Sequence, residues 1–198
     1  MPDLTSAQKT TLKNHIDANT TVITVGGNDV QIKDVLNTTD TNGDVAVWYN
    51  SFTVGYLVWR SSVSRSEVYH SISSAGTVFD WNTFKSQSVT EQNAWVQMFM
   101  GDNAPFNNLS FRNGVFSIFS GSAPQNSQRA HIFATGRRLA RRIEQILATA
   151  PTSAGGITVG VNNGNTTGDA AGGTTNPFIM GFEGQLTAVQ ITDARTNG

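Results

Sequence analysis

Residues 127–150, SQRAHIFATGRRLARRIEQILATA, carry the clearest periodic pattern in the chain. Apolar side chains recur there at helical spacing, namely Ile132, Phe133, Leu139, Ile143, Ile146 and Leu147. Pro151 follows directly, and proline cannot continue a helix. The pattern predicts one long helix with a single apolar face, which favours a mainly α fold.

Further elements are predicted on the N-terminal side of this stretch. Polar capping residues precede apolar patterns and predict helices at residues 4–19, 64–72, 80–101 and 107–119. Apolar, β-branched and aromatic runs predict strands near 22–25 and 56–60, whereas NTTDTNGD, residues 37–44, has the composition of a loop. The expected fold class is mainly α: a helical bundle with a few short strands and an extended Gly/Thr-rich C-terminal arm.

Composition narrows the class of protein. The chain has 198 residues, of which 38% are hydrophobic and only 14% charged, and its formal net charge is -1. No global field therefore attracts it to nucleic acid or to an anionic membrane. The absence of cysteine excludes disulfides, thiolate metal sites and a cysteine nucleophile. A low-charge surface rich in Thr, Ser, Asn and Gly suits a protein largely covered by partners, and an extracellular or merely polar-rich monomer would have a similar composition.

The last quarter of the chain has a different character. Residues 151–176, PTSAGGITVGVNNGNTTGDAAGGTTN, hold too few apolar groups to offset the entropy of ordering them. The segment after them, up to residue 198, has regularly spaced apolar residues and is interpreted as an anchor that docks on a folded core. We expect a mainly helical core domain at 1–150 and a flexible arm with a C-terminal anchoring segment at 151–198, docked on a neighbouring subunit or on its own core.

Motifs for catalysis, cofactors and metals are weak. Asp40, Asn42 and Asp44 resemble the start of a calcium loop, but the glycine is misplaced and Ser51 stands where a bidentate Glu is required. The three histidines, His15, His70 and His131, lack a zinc-binding spacing and are expected at surface or boundary positions. No nucleophile elbow, P-loop or dinucleotide fingerprint is present. We expect no enzymatic activity, cofactor or metal.

The strongest local charge feature is the cluster of Arg137, Arg138, Arg141 and Arg142. On the predicted helix these residues would form a stripe beside the apolar face, with Glu144 nearby. Such a stripe suits nucleic-acid phosphates, carboxylates of a neighbouring subunit, or simple solvation near a helix C-terminus.

Three segments resemble a family of small virion-associated proteins of tailed bacteriophages. They are Val58 to Val63 (VWRSSV), Arg138 to Thr149 with its arginines and LAT ending, and Met180 to Ile191 (MGFEGQLTAVQI). The resemblance spans most of residues 48–195, with an extra insertion near the N-terminus. It implies a virion component without catalytic residues, made in the host bacterial cytoplasm.

The resemblance favours a head–tail connector, a neck adaptor forming a ring between portal and tail. A capsid decoration or tail protein is the alternative, and a nucleic-acid-binding module is the alternative of another class. Expected partners are copies of the same chain and portal, tail or capsid proteins, with contact to packaged DNA and none to membrane. The expected interface residues are the four arginines together with Phe178, Met180, Phe182, Glu183 and Leu186.

Overall fold

A computed structural model describes residues 3–73, 76–147 and 180–198. Within these ranges the chain forms short helices and three small two-stranded antiparallel sheets. The fold is therefore mixed α/β, and the prediction of a mainly α helical bundle is wrong. The Gly/Thr-rich arm predicted at residues 151–176 lies outside the described residues.

The elements alternate along the chain. The helices are α1 Ser6–Ala18, α2 Thr39–Asn50, α3 Arg65–His70, α4 Trp81–Lys85, α5 Val89–Met98, α6 Leu109–Ile118, α7 Gln125–Thr135, α8 Arg142–Ile146 and α9 Ala188–Asn197, with a 3-10 turn at Ile32–Asp34. The strands are β1 Val22–Val25, β2 Asn28–Gln31, β3 Phe52–Trp59, β4 Val63–Ser64, β5 Asn103–Ala104 and β6 Arg137–Arg141. The pairs are β1 with β2, β3 with β6, and β4 with β5.

The described residues divide into two compact units. The first unit holds the residues up to Val54, residues 140–147 and the segment Met180–Gly198, and the second holds Gly55–Leu139. Strands β3 and β6 contribute residues to both units. The boundary predicted at residue 150 falls among residues that the structure does not describe.

In the first unit, helix α1 begins where the sequence predicts it. Thr5 and Gln8 form a reciprocal capping box, with Thr5 N donating to Gln8 Oε1 at 2.9 Å and Gln8 N donating to Thr5 Oγ1 at 3.3 Å. One turn apart on its inner face, Leu12 and Ile16 are fully buried. Local capping and a narrow apolar stripe therefore suffice to fix this helix.

Helix α2 lies where a loop was predicted at residues 37–44, so that prediction is wrong. Thr38 caps the helix through its side chain, which accepts a hydrogen bond from Thr41 N. Val45 and Tyr49 are fully buried in the core of the first unit. Tertiary burial of this apolar side overrides the turn-like composition of the first turns, including Gly43.

The second unit has an aromatic core. Its largest fully or nearly fully buried side chains are Trp59, Trp95, Phe99, Phe106, Phe119 and Phe133. Trp95 packs edge-on against Phe99 and Phe119, and its indole Nε1 donates to the hydroxyl of Tyr69 at 2.9 Å. Edge-to-face rings and a paired indole N–H let these large side chains bury without an unsatisfied donor.

The long helix predicted over residues 127–150 is wrong. Helix α7 ends at Thr135, residues 137–141 form strand β6, and only Arg142–Ile146 is helical again. Gly136 marks the break, because its backbone lies directly against the ring of Phe106 and its carbonyl accepts a hydrogen bond from Arg60 N at 2.9 Å. Strand pairing and this close approach outweigh the helical periodicity.

We predict opposite effects of alanine at two glycines, one directly after α7 and one inside α2. In Gly136→Ala the new methyl group overlaps the buried ring of Phe106, and overpacking of this kind costs about 1–3 kcal/mol of unfolding free energy. Gly43→Ala meets no atom within 4 Å and should stabilise by about 0.5–1 kcal/mol. Urea unfolding of both variants checks this, and a neutral Gly136→Ala would contradict the close packing.

Candidate interaction surfaces

The predicted arginine stripe does not form, because its residues do not share a helix. Arg137, Arg138 and Arg141 lie in strand β6, and Arg142 is the first residue of α8. Side chains alternate between the two sides of a strand, so Arg138 points away from the side of Arg137 and Arg141. The cluster is thereby divided, and its members have different environments.

Arg141 and Arg142 both bind the C-terminal end of α2. Arg142 Nη1 donates to Trp48 O at 3.3 Å and to Ser51 Oγ, and its guanidinium lies 4.4 Å from the centre of the Trp48 ring. Arg141 Nη1 donates to Asn50 O at 3.0 Å. The last carbonyl groups of a helix have no partner within the helix. Arg141 supplies a donor to Asn50 O. Arg142 adds one to Trp48 O, which also accepts from Ser51 N and Ser51 Oγ.

The same arrangement recurs in the second unit. Arg60 pairs with Glu67, with 3.0 Å between Nη2 and Oε2, and also donates to Thr135 O at the end of α7. Arg129 donates to Phe119 O, the residue that ends α6. Arg60 and Arg129 thus supply donors at the ends of α7 and α6, as Arg141 and Arg142 do at the end of α2.

Arg112 is a buried cation that the sequence analysis missed. It is fully buried in α6, donates to Phe106 O and stacks 4.9 Å from the centre of the Trp59 ring. Among the described residues its Nε and Nη2 have no hydrogen-bond partner. Burial lowers the pKa of Arg112 to about 10. Its position in α6 between the apolar residues Phe111 and Val115 is the sequence signal that could have indicated burial.

The predicted anchoring residues lie largely inside the first unit. Phe182 and Leu186 are buried in its core, whereas Met180 and Glu183 are half-buried. Phe178 lies outside the described residues. Helix α9 follows and packs against α1 and α2 through Ile191 and Ala194. In the described chain, the anchor therefore closes the core of the unit that contains the N-terminal helices.

Polar contacts fix the position of this C-terminal segment. Asn42, fully buried in α2, donates to Thr192 Oγ1 at 2.8 Å and accepts from Arg195 Nη1 at 2.9 Å. Asn50 bonds the backbone of Leu186 in both directions, at 2.8 Å to its carbonyl and 2.7 Å from its amide. Each bond is directional, so together they set one register for the segment.

Two further contacts hold the ends of the segment. Glu144 is fully buried and accepts hydrogen bonds from Gly184 N at 3.1 Å and from Arg141 N at 2.8 Å. Lys9 Nζ lies 2.7 Å from Asp193 Oδ2, and the hydrogen bond from Lys9 lowers the pKa of that carboxyl.

The fully exposed residues of α5 and α6 include no charged side chain. Of the two charged residues of these helices, Glu91 is half-exposed in the first turn of α5, where it forms a cap with Ser88, and Arg112 is buried. The exposed apolar side chains of this surface are Val89, Val96, Met100 just after α5, and Phe116. The exposed polar ones are Thr90, Asn93, Gln97, Ser110, Asn113 and Ser117.

We call these residues, with exposed Ala94, the charge-free surface. The helices that carry it pack together, with the side chain of Met98 lying against Gly114. About a quarter to a third of a soluble protein's surface residues are usually charged. A two-helix surface without charge, in which Met100 is 83% exposed, is the kind of surface that protein interfaces cover.

The residues that resemble the start of a calcium loop are part of α2, where Asn42 makes the contacts described above. His131 is fully buried, whereas a surface or boundary position was expected, and its ring nitrogens lie 2.9 Å from Val68 O and 3.1 Å from Thr77 O. His15 Nδ1 lies 2.9 Å from the Tyr49 hydroxyl. Within the described ranges, no group of three or more His, Asp or Glu could hold a metal ion.

Among the described residues, no helix is long and apolar enough to span a membrane. Comparison with protein-family models, with characterised proteins and with solved structures finds no significant match. A functional proposal therefore depends on the chain's own residues and on the resemblance of its three segments.

We predict that Arg142 stabilises the first unit. Arg142→Met removes the donors to Trp48 O and Ser51 Oγ, and the loss should be about 2 kcal/mol of unfolding free energy. Lys33→Met is the matched control, because Lys33 is an exposed cation of the same unit. Its effect should stay within about 0.5 kcal/mol. Equal midpoints of the two variants in urea would show that Arg142 is not a structural residue.

Proposed function

We propose that this chain is a non-enzymatic structural subunit of a tailed-bacteriophage particle. Its most favoured place is the neck, as a head–tail connector that assembles as a ring between portal and tail. A capsid decoration or tail protein is the alternative within the same class. Its partners in each case are copies of itself and neighbouring proteins of the particle.

The observation that carries this proposal is the charge-free surface on α5 and α6. Its composition suits burial against another protein, because no charged group has to lose its hydration. The resemblance to virion-associated proteins at residues 58–63, 138–149 and 180–191 supports the same class. Together they favour assembly over catalysis.

The nucleic-acid-binding alternative loses its main support. It required arginines on one helix face, whereas Arg141 and Arg142 donate to carbonyls at the end of α2. It still makes a separate prediction: tight DNA binding whose affinity falls steeply with salt. A titration of the unmodified chain with duplex DNA at two salt concentrations distinguishes the two proposals.

We predict that purified particles contain this chain in fixed proportion to the portal protein. A ring at the neck places one copy, or a small whole-number multiple, beside each portal subunit. Quantitative mass spectrometry against the portal and the major capsid protein measures the ratio. A ratio close to that of the capsid or tail-tube protein would favour the alternative place, and absence from particles would refute the proposal.

We predict that Val96→Lys prevents self-association and leaves the fold intact. Val96 is 50% exposed on the charge-free surface, so a lysine there places an unpaired charge in the interface. The matched control is Val47→Lys on α2, where valine is 71% exposed beside the exposed Asp44. Sedimentation velocity should show loss of association only for Val96→Lys. If that variant associates as the unmodified chain does, the charge-free surface is not part of the interface.

A further inference from the structure

The C-terminal segment Met180–Gly198 docks into the first unit in the way that a peptide ligand docks into a groove. Its apolar anchors are Phe182, Leu186, Ile191 and Ala194, and all four are buried in one core cluster. Helices α1, α2 and α8 supply the other side of that cluster through residues such as Leu12, Ile16, Val45 and Ile143. Ile191 and Ala194 lie one turn apart on α9, whereas Phe182 and Leu186 precede that helix. A helix that lays an apolar side into a groove between other helices is a recurring mode of peptide recognition.

The contacts around these anchors do not require the segment and the groove to belong to one chain. Asn50 recognises the backbone of Leu186, and Asn42 and Arg195 bind each other through side chains. The bonds to the Leu186 backbone fix register, and the side-chain pair of Asn42 and Arg195 adds sequence specificity. Interfaces between separable parts of a chain are similarly polar.

The length of the connection allows the segment to reach another copy. Residues 148–179 separate Leu147 at the end of the first unit's α8 region from Met180 at the start of the segment. A chain of that length spans up to on the order of 100 Å when extended. Long connections also lower the effective concentration of a docked segment at its own groove, which favours exchange at high protein concentration.

We infer that, in the assembled protein, residues 180–198 of one copy occupy the first unit of a neighbouring copy. Each first unit then receives its last helix from another chain, so the subunits are joined by exchange of an identical element. This inference rests on the proposed function, since exchange needs copies held close together. The exchanged segment is a second contact between subunits, in addition to the contact that we assign to the charge-free surface.

Cysteine pairs in the full-length chain test the exchange, because the natural sequence contains no cysteine. Lys9 and Asp193 are the positions of choice, since their charged atoms lie 2.7 Å apart across the groove and their side chains are 24% and 37% exposed. Lys9→Cys protein and Asp193→Cys protein are mixed, allowed to assemble, oxidised or treated with a short thiol crosslinker, and separated without reductant. Exchange should produce a covalent dimer that neither variant gives alone.

The control mixture is Lys13→Cys with Asp17→Cys. These side chains also lie 2.7 Å apart, but both belong to α1, so exchange of the C-terminal segment cannot bring them together between copies. The double variant Lys9→Cys with Asp193→Cys, kept dilute, shows that the first pair can react, because it should close within one chain.

A Lys9/Asp193 mixture that yields no more dimer than the control, in a protein that does assemble, would overturn the exchange and leave the proposed function standing. A chain that stays monomeric at every concentration and is absent from particles would overturn both. Deleting residues 177–198 is a poorer test, because it exposes the core that Phe182 and Ile191 cover.

Discussion

The structure depends on how its helices end. The last carbonyl groups of a helix lack partners inside the helix, and leaving them buried without a donor is costly. Here arginine side chains supply the donors: Arg141 and Arg142 at the end of α2, Arg60 at the end of α7 and Arg129 at the end of α6. A positive charge at that end also complements the helix dipole.

Few charges remain for the surface of this chain, in which only 14% of the residues are charged. Several cations contact backbone carbonyls and aromatic faces, as Arg142 does at Trp48 and Arg112 at Trp59, and α5 and α6 contribute only Glu91 and Arg112. A surface of this kind favours association through shape and hydrogen bonds, which is the mode of action that we propose for a virion subunit.

In the first unit, polar contacts select the position that apolar contacts make favourable. Phe182 and Ile191 contribute buried apolar area, but the burial of apolar area is not directional and does not fix register. Buried Asn42 and the two-way bond between Asn50 and Leu186 supply the fixed geometry. This division of roles lets the C-terminal segment be both stably docked and specific, whichever copy of the chain provides it.

Local signals in the sequence determined the elements whose causes are local. Polar capping residues and apolar spacing predict helices at residues 4–19 and 64–72, and the structure confirms both, with Thr5 and Ser64 as their N-caps. Composition alone also indicated an unusually uncharged surface. Helices of this kind depend on residues within one or two turns, so periodicity and capping rules predict them.

Only the tertiary structure decided the rest. Gly136 ends α7 because Phe106, distant in sequence, fills the space beside it, and residues 137–141 pair with β3. The polar first turns of α2 are helical because Val45 and Tyr49, further along the same helix, are buried in the core of the first unit. Arg141 and Arg142, predicted to contact outside ligands, instead donate to carbonyl groups at the end of α2. In each case a long-range contact outweighs a local preference, and a single sequence does not reveal its long-range contacts.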